Sequence, residues 1–257
     1  MTLTLSCGLS DTGMARLHNE DAFCIDGERG LYIVADGMGG HTHGEVASQI
    51  AVKTIGDFFG QRANGGSVSQ ASGSELQSHS VDLRTAIELA HQAMLDAIRE
   101  DLSLQGMGTT VAGIVVQDGV VAVGHVGDSR VYRLRGNEME LLTEDHTWVN
   151  EQVMAGYLSE EQARTHPLRN VVTRALGGET AVIVDLREIP VCKGDLYLIC
   201  SDGLTAMLSD IEIRARLSTG KPLIDICQKL IDDSNARGGV DNVTVVLARI
   251  EDDSPPA

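Results

Sequence analysis

Residues 109–142, TTVAGIVVQDGVVAVGHVGDSRVYRLRGNEMELL, limit the fold more than any other stretch. Two apolar, β-branched runs are joined through Gln117-Asp118-Gly119. Asp-Gly between such runs is the strongest short-range hairpin signal, because both turn positions want a positive φ. The GDS turn then leads into a run from Arg130 to Leu134, and RGNE into Met139 to Leu142. Successive short strands with tight turns make an antiparallel meander and leave no length for βαβ crossovers.

Further strands are expected near 3–9, 21–26, 30–35, 181–189, 195–200 and 243–250, from alternation and β-branched content. Helical spacing covers 44–59, 81–104 and 221–234. Residues 60–80, GQRANGGSVSQASGSELQSHS, are polar and rich in Gly and Ser, and read as a flexible loop inside the domain. Residues 145–175 read as short helices and a loop. The whole chain, 1–257, is expected to form one α+β domain of two antiparallel sheets faced by helices.

A formal net charge of −17 argues against a nucleic-acid or anionic-membrane surface, both of which want clustered Lys and Arg. The five cysteines are scattered without a C-x-x-C pair, as expected of reduced thiols in the cytoplasm. No signal peptide is expected, and no apolar stretch approaches the length of a membrane span.

Several strand ends meet acidic corners: RLHNEDAF (16–23), IVADGMGGH (33–41), HVGDSRVY (125–132), LICSDGL (198–204) and GGVDNVTVVL (238–247). A carboxylate at the tip of a buried strand is costly unless a positive partner compensates it. These corners supply only Arg16 and Arg130, so a divalent cation is the better compensator. Oxygen-only ligation suits Mg²⁺ and Mn²⁺, and no HxH or HExxH spacing favours zinc. Asp36, Asp202 and Asp241 placed around one point make a site that two hard cations could share. Gly37, lacking a Cβ, can turn its carbonyl toward a metal, and Gly39 and Gly40 permit close approach. One Asp-Gly pair alone is an ordinary turn former. The corners taken together are harder to explain as turns.

RLHNED, VADGMGGH, GTT, VGDSR, LT-DH, VTRALG, CSDGL and DNVT, in this order from Arg16 to Thr244, resemble the bacterial branch of the metal-dependent type-2C protein serine/threonine phosphatases. The resemblance implies a four-layer α-β-β-α sandwich with two Mn²⁺ or Mg²⁺ ions at one end, and a third, looser ion in bacterial members. It makes Asp36 the carboxylate bridging both metals, Gly37 the carbonyl ligand, and Asp202 and Asp241 ligands of the first metal. One of Glu20 and Asp21 belongs to the second metal, and Asp21 is the choice made from the motif. Asp128 resembles the ligand of the third ion, and Arg16 the phosphate-gripping arginine. Residues 145–175 resemble the flap beside the active site. Met38 stands where eukaryotic members carry a histidine proposed as general acid. For His41 a structural or loop role is favoured over help in that proton transfer.

The expected reaction is hydrolysis of phosphoserine or phosphothreonine in proteins by a hydroxide bridging two ions roughly 3.5–4 Å apart, without a phospho-enzyme. Arg16 would hold two phosphate oxygens in a bidentate grip. No cysteine has an arginine six positions later and no GxxxxGK[ST] occurs, so cysteine-phosphatase and P-loop chemistry are excluded. The alternatives are a catalytically silent regulatory module of the same fold, and a hydrolase of small phosphate esters. The expected partners are a phosphoprotein substrate and a cognate serine/threonine kinase, with no nucleic acid and no membrane, and the chain is expected to be a monomer. Trp148 and Tyr157 read as packing residues, Arg174 as structural, and His125 as a satisfied core histidine. Asn242 reads equally as a turn former or as the holder of a metal-bound water.

Overall fold

The computed structural model describes residues 3–39, 43–63, 78–178 and 181–252. The chain begins with β1 (Leu3–Asp11), β2 (Asp21–Asp26) and β3 (Leu31–Met38), followed by helices α1 (His43–Ala63) and α2 (Ser78–Glu100). The meander comprises β4 (Gly108–Thr109), β5 (Val111–Gln117), β6 (Val120–Val126), β7 (Arg130–Arg135) and β8 (Glu138–Leu141). Helices α3 (Trp148–Met154) and α4 (Glu160–Thr165) precede β9 (Asp185–Pro190) and β10 (Leu196–Cys200). The chain then forms α5 (Asp202–Thr205), α6 (Asp210–Leu217), α7 (Leu223–Ala236) and β11 (Val243–Asp252).

Every ladder among the described residues is antiparallel. One sheet runs β1-β11-β10-β7-β8, the other β2-β3-β5-β6-β9 with β4 added to β3. The β5–β6 hairpin closes through Asp118 (φ 49°) and Gly119 (φ 77°), the positive-φ pair that its sequence predicts.

The continuous apolar run of β3 follows from burial on both faces. Leu31, Ile33 and Ala35 pack under α1 and α2, while Tyr32 and Val34 pack against the other sheet. Leu198 and Cys200 of β10 and Val245 and Leu247 of β11 face α6 and α7. Tyr197, Ile199, Val246 and Ala248 fill the space between the sheets. The result is the expected order of layers: helices, sheet, sheet, helices.

Several expectations need adjusting. The second helix ends at Glu100, not 104, because Asp101 accepts the Ser103 N–H at 2.9 Å and starts a separate 3₁₀ turn, Leu102–Leu104. The strand expected over 181–189 begins only at Asp185. Helices α5 and α6 are additions. The signal for α6 was a capping box, Ser209 with Glu212, preceding a segment that buries only Ile213 and Leu217. Residues 60–63 and 78–80 of the expected loop are helical, while 64–77 lie outside the described residues, as do Gly40 and His41. No helix among the described residues is long and apolar enough to cross a membrane.

Candidate active site

Antiparallel pairing brings the acidic corners to one end of the sandwich. Asp21, at the start of β2, is register partner to Asp36 near the end of β3. Asp202 follows β10, Asp241 precedes β11, and Asp128 lies between β6 and β7. A cavity of about 630 Å³ opens there, and its wall includes Arg16, Glu20, Asp36, Gly37, Met38, Asp128, Asp202 and Asp241.

Strand β3 does not stop at Asp36 as its apolar run suggests. It continues to Met38 because Gly37 and Met38 pair with Thr109 and Gly108 of β4. The Asp36 peptide is clamped from the same side. Thr110 N–H and Thr109 Oγ1 both donate to the Asp36 carbonyl at 2.9 Å, and Asp36 N–H donates to Thr110 Oγ1 at 3.2 Å. This is what the GTT motif does. Gly37 has no room for a side chain: an added Cβ would lie 2.1 Å from the Gly44 carbonyl oxygen and 2.5 Å from that of Glu20.

The two acids of NED sit differently. Glu20 is buried in the cavity wall with Oε1 lacking a hydrogen-bond partner. Asp21 is not among the wall residues. Its Oδ2 accepts from Thr244 Oγ1 at 2.6 Å and Ser201 Oγ at 2.8 Å, while its buried Oδ1 has no partner. Of the two acids between which the motif chooses Asp21, Glu20 lines the cavity and Asp21 is held by the Ser201 and Thr244 hydroxyls.

Crowded, desolvated carboxylates resist ionisation. Burial raises Asp21 and Asp128 to about 7 and Asp202 to about 6, with neighbouring acids adding to each. Asp36 is pushed well above the ordinary carboxylate range by burial, then by the charges of Asp21, Asp202, Asp128 and Asp241. Arg16 is the one guanidinium in the cavity wall, and its Nη2 donates to Asp241 Oδ2 at 2.6 Å. That pair is about half exposed on the arginine side, so its attraction is modest.

Two hard divalent cations fit this donor set. Five carboxylates and the Gly37 backbone line the wall with one arginine, and buried oxygens on Glu20 and Asp21 lack a hydrogen-bond partner, an oxygen-rich set of the kind hard cations take.

A family model described as protein phosphatase 2C matches residues 14–244. The chain belongs to the protein phosphatase 2C family. It is 36% identical over 241 residues to the serine/threonine phosphatase stp of Listeria welshimeri, covering 93% of this chain and 92% of that one. It is 34% identical to protein phosphatase PhpP of Streptococcus pneumoniae, covering 95% and 97%. The Mycobacterium tuberculosis serine/threonine phosphatase PstP/Ppp superposes with a TM-score of 0.86 at 34% identity, covering 97% and 99%. A PstP catalytic domain in complex with two manganese ions superposes with a TM-score of 0.84 at 32% identity, covering 98% of this chain and all of that one. The fold, the enzyme class and the Mn²⁺ or Mg²⁺ dependence implied by the motifs are those of this family.

Other singled-out residues find their places within the family fold. Asn242 is a staple: its Oδ1 accepts the Glu20 N–H at 2.8 Å, and its Nδ2 donates to the Thr12 and His18 carbonyls at 2.9 Å. It thus fixes the loop that carries Arg16. His125 Nε2 donates to the Glu144 carbonyl at 2.8 Å, and Arg174 Nη1 pairs with Asp185 at 3.3 Å, both structural as read. Trp148 packs on His166 with ring centroids 5.0 Å apart. Tyr157 is 78% exposed, contrary to a packing role, because it lies just beyond α3 on a surface turn.

Proposed function

We propose that residues 1–257 act as one phosphatase domain that hydrolyses phosphoserine and phosphothreonine in proteins at this cavity. The observation that carries the reading is the convergence of Glu20, Asp36, Asp128, Asp202 and Asp241 with Arg16 on one cavity. Asp36, Asp202, Asp241, the Gly37 carbonyl and one of the NED acids, Glu20 or Asp21, would hold the two cations. Asp128 would hold a third. When bound, the cations supply Lewis acidity that lowers the pKa of a water and offsets phosphoryl charge.

The chain's own residues orient the ester. Arg16 stands at the cavity rim on a loop fixed by Asn242, and its guanidinium can exchange Asp241 for two phosphate oxygens. The Thr109 and Thr110 clamp holds the Asp36 backbone, so its carboxylate keeps one height in the cavity. Asn170 and Val172 bring the 145–175 segment into the cavity wall, which supports its role as a flap that influences substrate choice. In this proposal the chain acts as a monomer in cytoplasmic signalling and reverses a serine/threonine kinase.

A panel of phosphothreonine and phosphoserine peptides against small phosphate esters, with Mn²⁺ present, tests the assignment. The reading predicts kcat/KM at least about tenfold higher for peptides, equivalent to about 1.4 kcal/mol of added transition-state binding. Small esters turned over faster than every peptide would contradict it.

A further inference from the structure

Behind the acidic site, His146 joins three parts of the fold. Its backbone N–H donates to the Gly127 carbonyl at 3.0 Å, and the Gly127 N–H donates back to His146 Nδ1 at 3.0 Å. The His146 carbonyl accepts the Thr173 N–H at 2.8 Å, next to the Thr147–Val172 bridge where the flap segment rejoins the fold. Its Nε2 lies 3.1 Å from Asp185 Oδ2. The ring is buried and stacks on His125, with centroids 4.6 Å apart at 20°.

These contacts define the tautomer. Nδ1 faces an N–H, so it must present a lone pair, and the ring proton is on Nε2, donated to Asp185. His125, His146 and Asp185 bring donor atoms within 4.8 Å of one another, the spacing of a metal site. The hydrogen bonds reject that use. A cation on Nε2 would displace its proton while Nδ1 still faces the Gly127 N–H, and Arg174 Nη1 already lies 3.3 Å away.

Gly127 transmits the hold toward the cavity. It sits at φ +108°, and an added Cβ would meet Thr110 Cγ2 at 2.5 Å. Thr110 is the residue that clamps Asp36, and its Oγ1 is also 2.7 Å from Ser129 Oγ. Gly127 is therefore bonded to His146 through both its N–H and its carbonyl, with no room for a side chain on the Thr110 side.

We infer that His146 is a positioning residue that fixes Asp128 through the Gly127 peptide and ties it to the base of the flap at Thr173. This rests on the proposed function, which gives Asp128 its place among the cation ligands. Outer partners of metal ligands are typically worth about 10–100-fold in activity or metal affinity.

Two variants separate the contacts. His146→Asn keeps an acceptor near Nδ1 and loses the donor to Asp185. His146→Gln keeps a donor toward Asp185 and loses the acceptor for Gly127. The inference predicts that His146→Gln lowers kcat on a phosphothreonine peptide about 10–100-fold with KM nearly unchanged. It also predicts that this variant needs more Mn²⁺ for half-maximal rate, and that His146→Asn recovers most of kcat. Nitrogen-15 NMR of the metal-free protein supplies a readout independent of turnover: Nδ1 unprotonated, with a scalar coupling across Gly127 N–H···Nδ1. Wild-type kcat and Mn²⁺ requirement in His146→Gln, or a protonated Nδ1, would overturn the inference. Absence of turnover in the wild type with that coupling intact would instead sink the phosphatase reading and leave the His146–Gly127 link standing.

Discussion

Asp21 stands opposite Asp36 in the β2–β3 register, so two acids face each other across adjacent strands at the mouth of a buried core. Like charges in directly opposed positions destabilise a sheet. Without a cation, the arrangement costs the fold stability. Burial keeps these acids protonated at low pH, so Asp36→Asn should raise the melting temperature of the chelator-treated protein more at pH 8 than at pH 5, by roughly 2–4 °C for each kcal/mol of repulsion relieved. Differential scanning calorimetry decides it: a lower melting temperature than the metal-free wild type would mean that the two acids do not oppose each other energetically.

The titration of these acids has a definite sign. Asp21 and Asp128 at about 7 and Asp202 at about 6 lie above the ordinary 3.8, so the folded metal-free chain holds protons that the unfolded chain releases. That stabilisation is complete below pH 4 and is lost as pH rises through 6 to 7. The urea midpoint of the chelated protein should fall between pH 5 and pH 8, whereas the shift produced by saturating Mn²⁺ should grow. A midpoint that rises with pH in the chelated protein would contradict this.

Gly37 tests the tightness of the site's frame. Gly37→Ala places a methyl 2.1 Å from the Gly44 carbonyl oxygen, so either the start of α1 or the end of β3 must move. The expected cost is about 1–3 kcal/mol in urea unfolding, the range for overpacking, together with loss of most activity. Unchanged stability would show that the backbone yields freely there.

Thr110→Val keeps shape and removes one hydroxyl that holds both Asp36 N–H and Ser129. The change should cost about 1–3 kcal/mol of stability, because the Asp36 amide loses its side-chain acceptor. Turnover should fall about 10–100-fold through displacement of the Asp36 carboxylate. Activity equal to wild type would remove Thr110 from the frame of the site.

Local chemistry made much of this legible. Asp118-Gly119 announces its hairpin because few other residue pairs tolerate that turn, and the acids announce themselves by ending apolar runs. What stayed hidden depends on contacts distant in sequence. The extension of β3 through Asp36 needs β4 from far along the chain, and no periodicity near Asp36 reports it. The choice between Glu20 and Asp21 turns on which neighbour faces the cavity, and adjacent residues entering a strand give opposite answers. His146 belongs to the LT-DH motif, which carries the resemblance without assigning the histidine a role; that role depends on two ring nitrogens and a backbone that hold separate segments together. Asn242 read equally as turn former or water holder, and its three hydrogen bonds decide for the loop that carries Arg16.

The most direct test of the central claim is turnover of a phosphothreonine peptide by the wild type with Mn²⁺, by the wild type with excess chelator, and by Asp36→Asn with Mn²⁺. Release of phosphate only in the first case, with at least about a hundredfold loss in the other two, is the predicted result. Turnover that survives chelation and the loss of the Asp36 charge would contradict the assignment of this cavity as a metal-dependent phosphatase site.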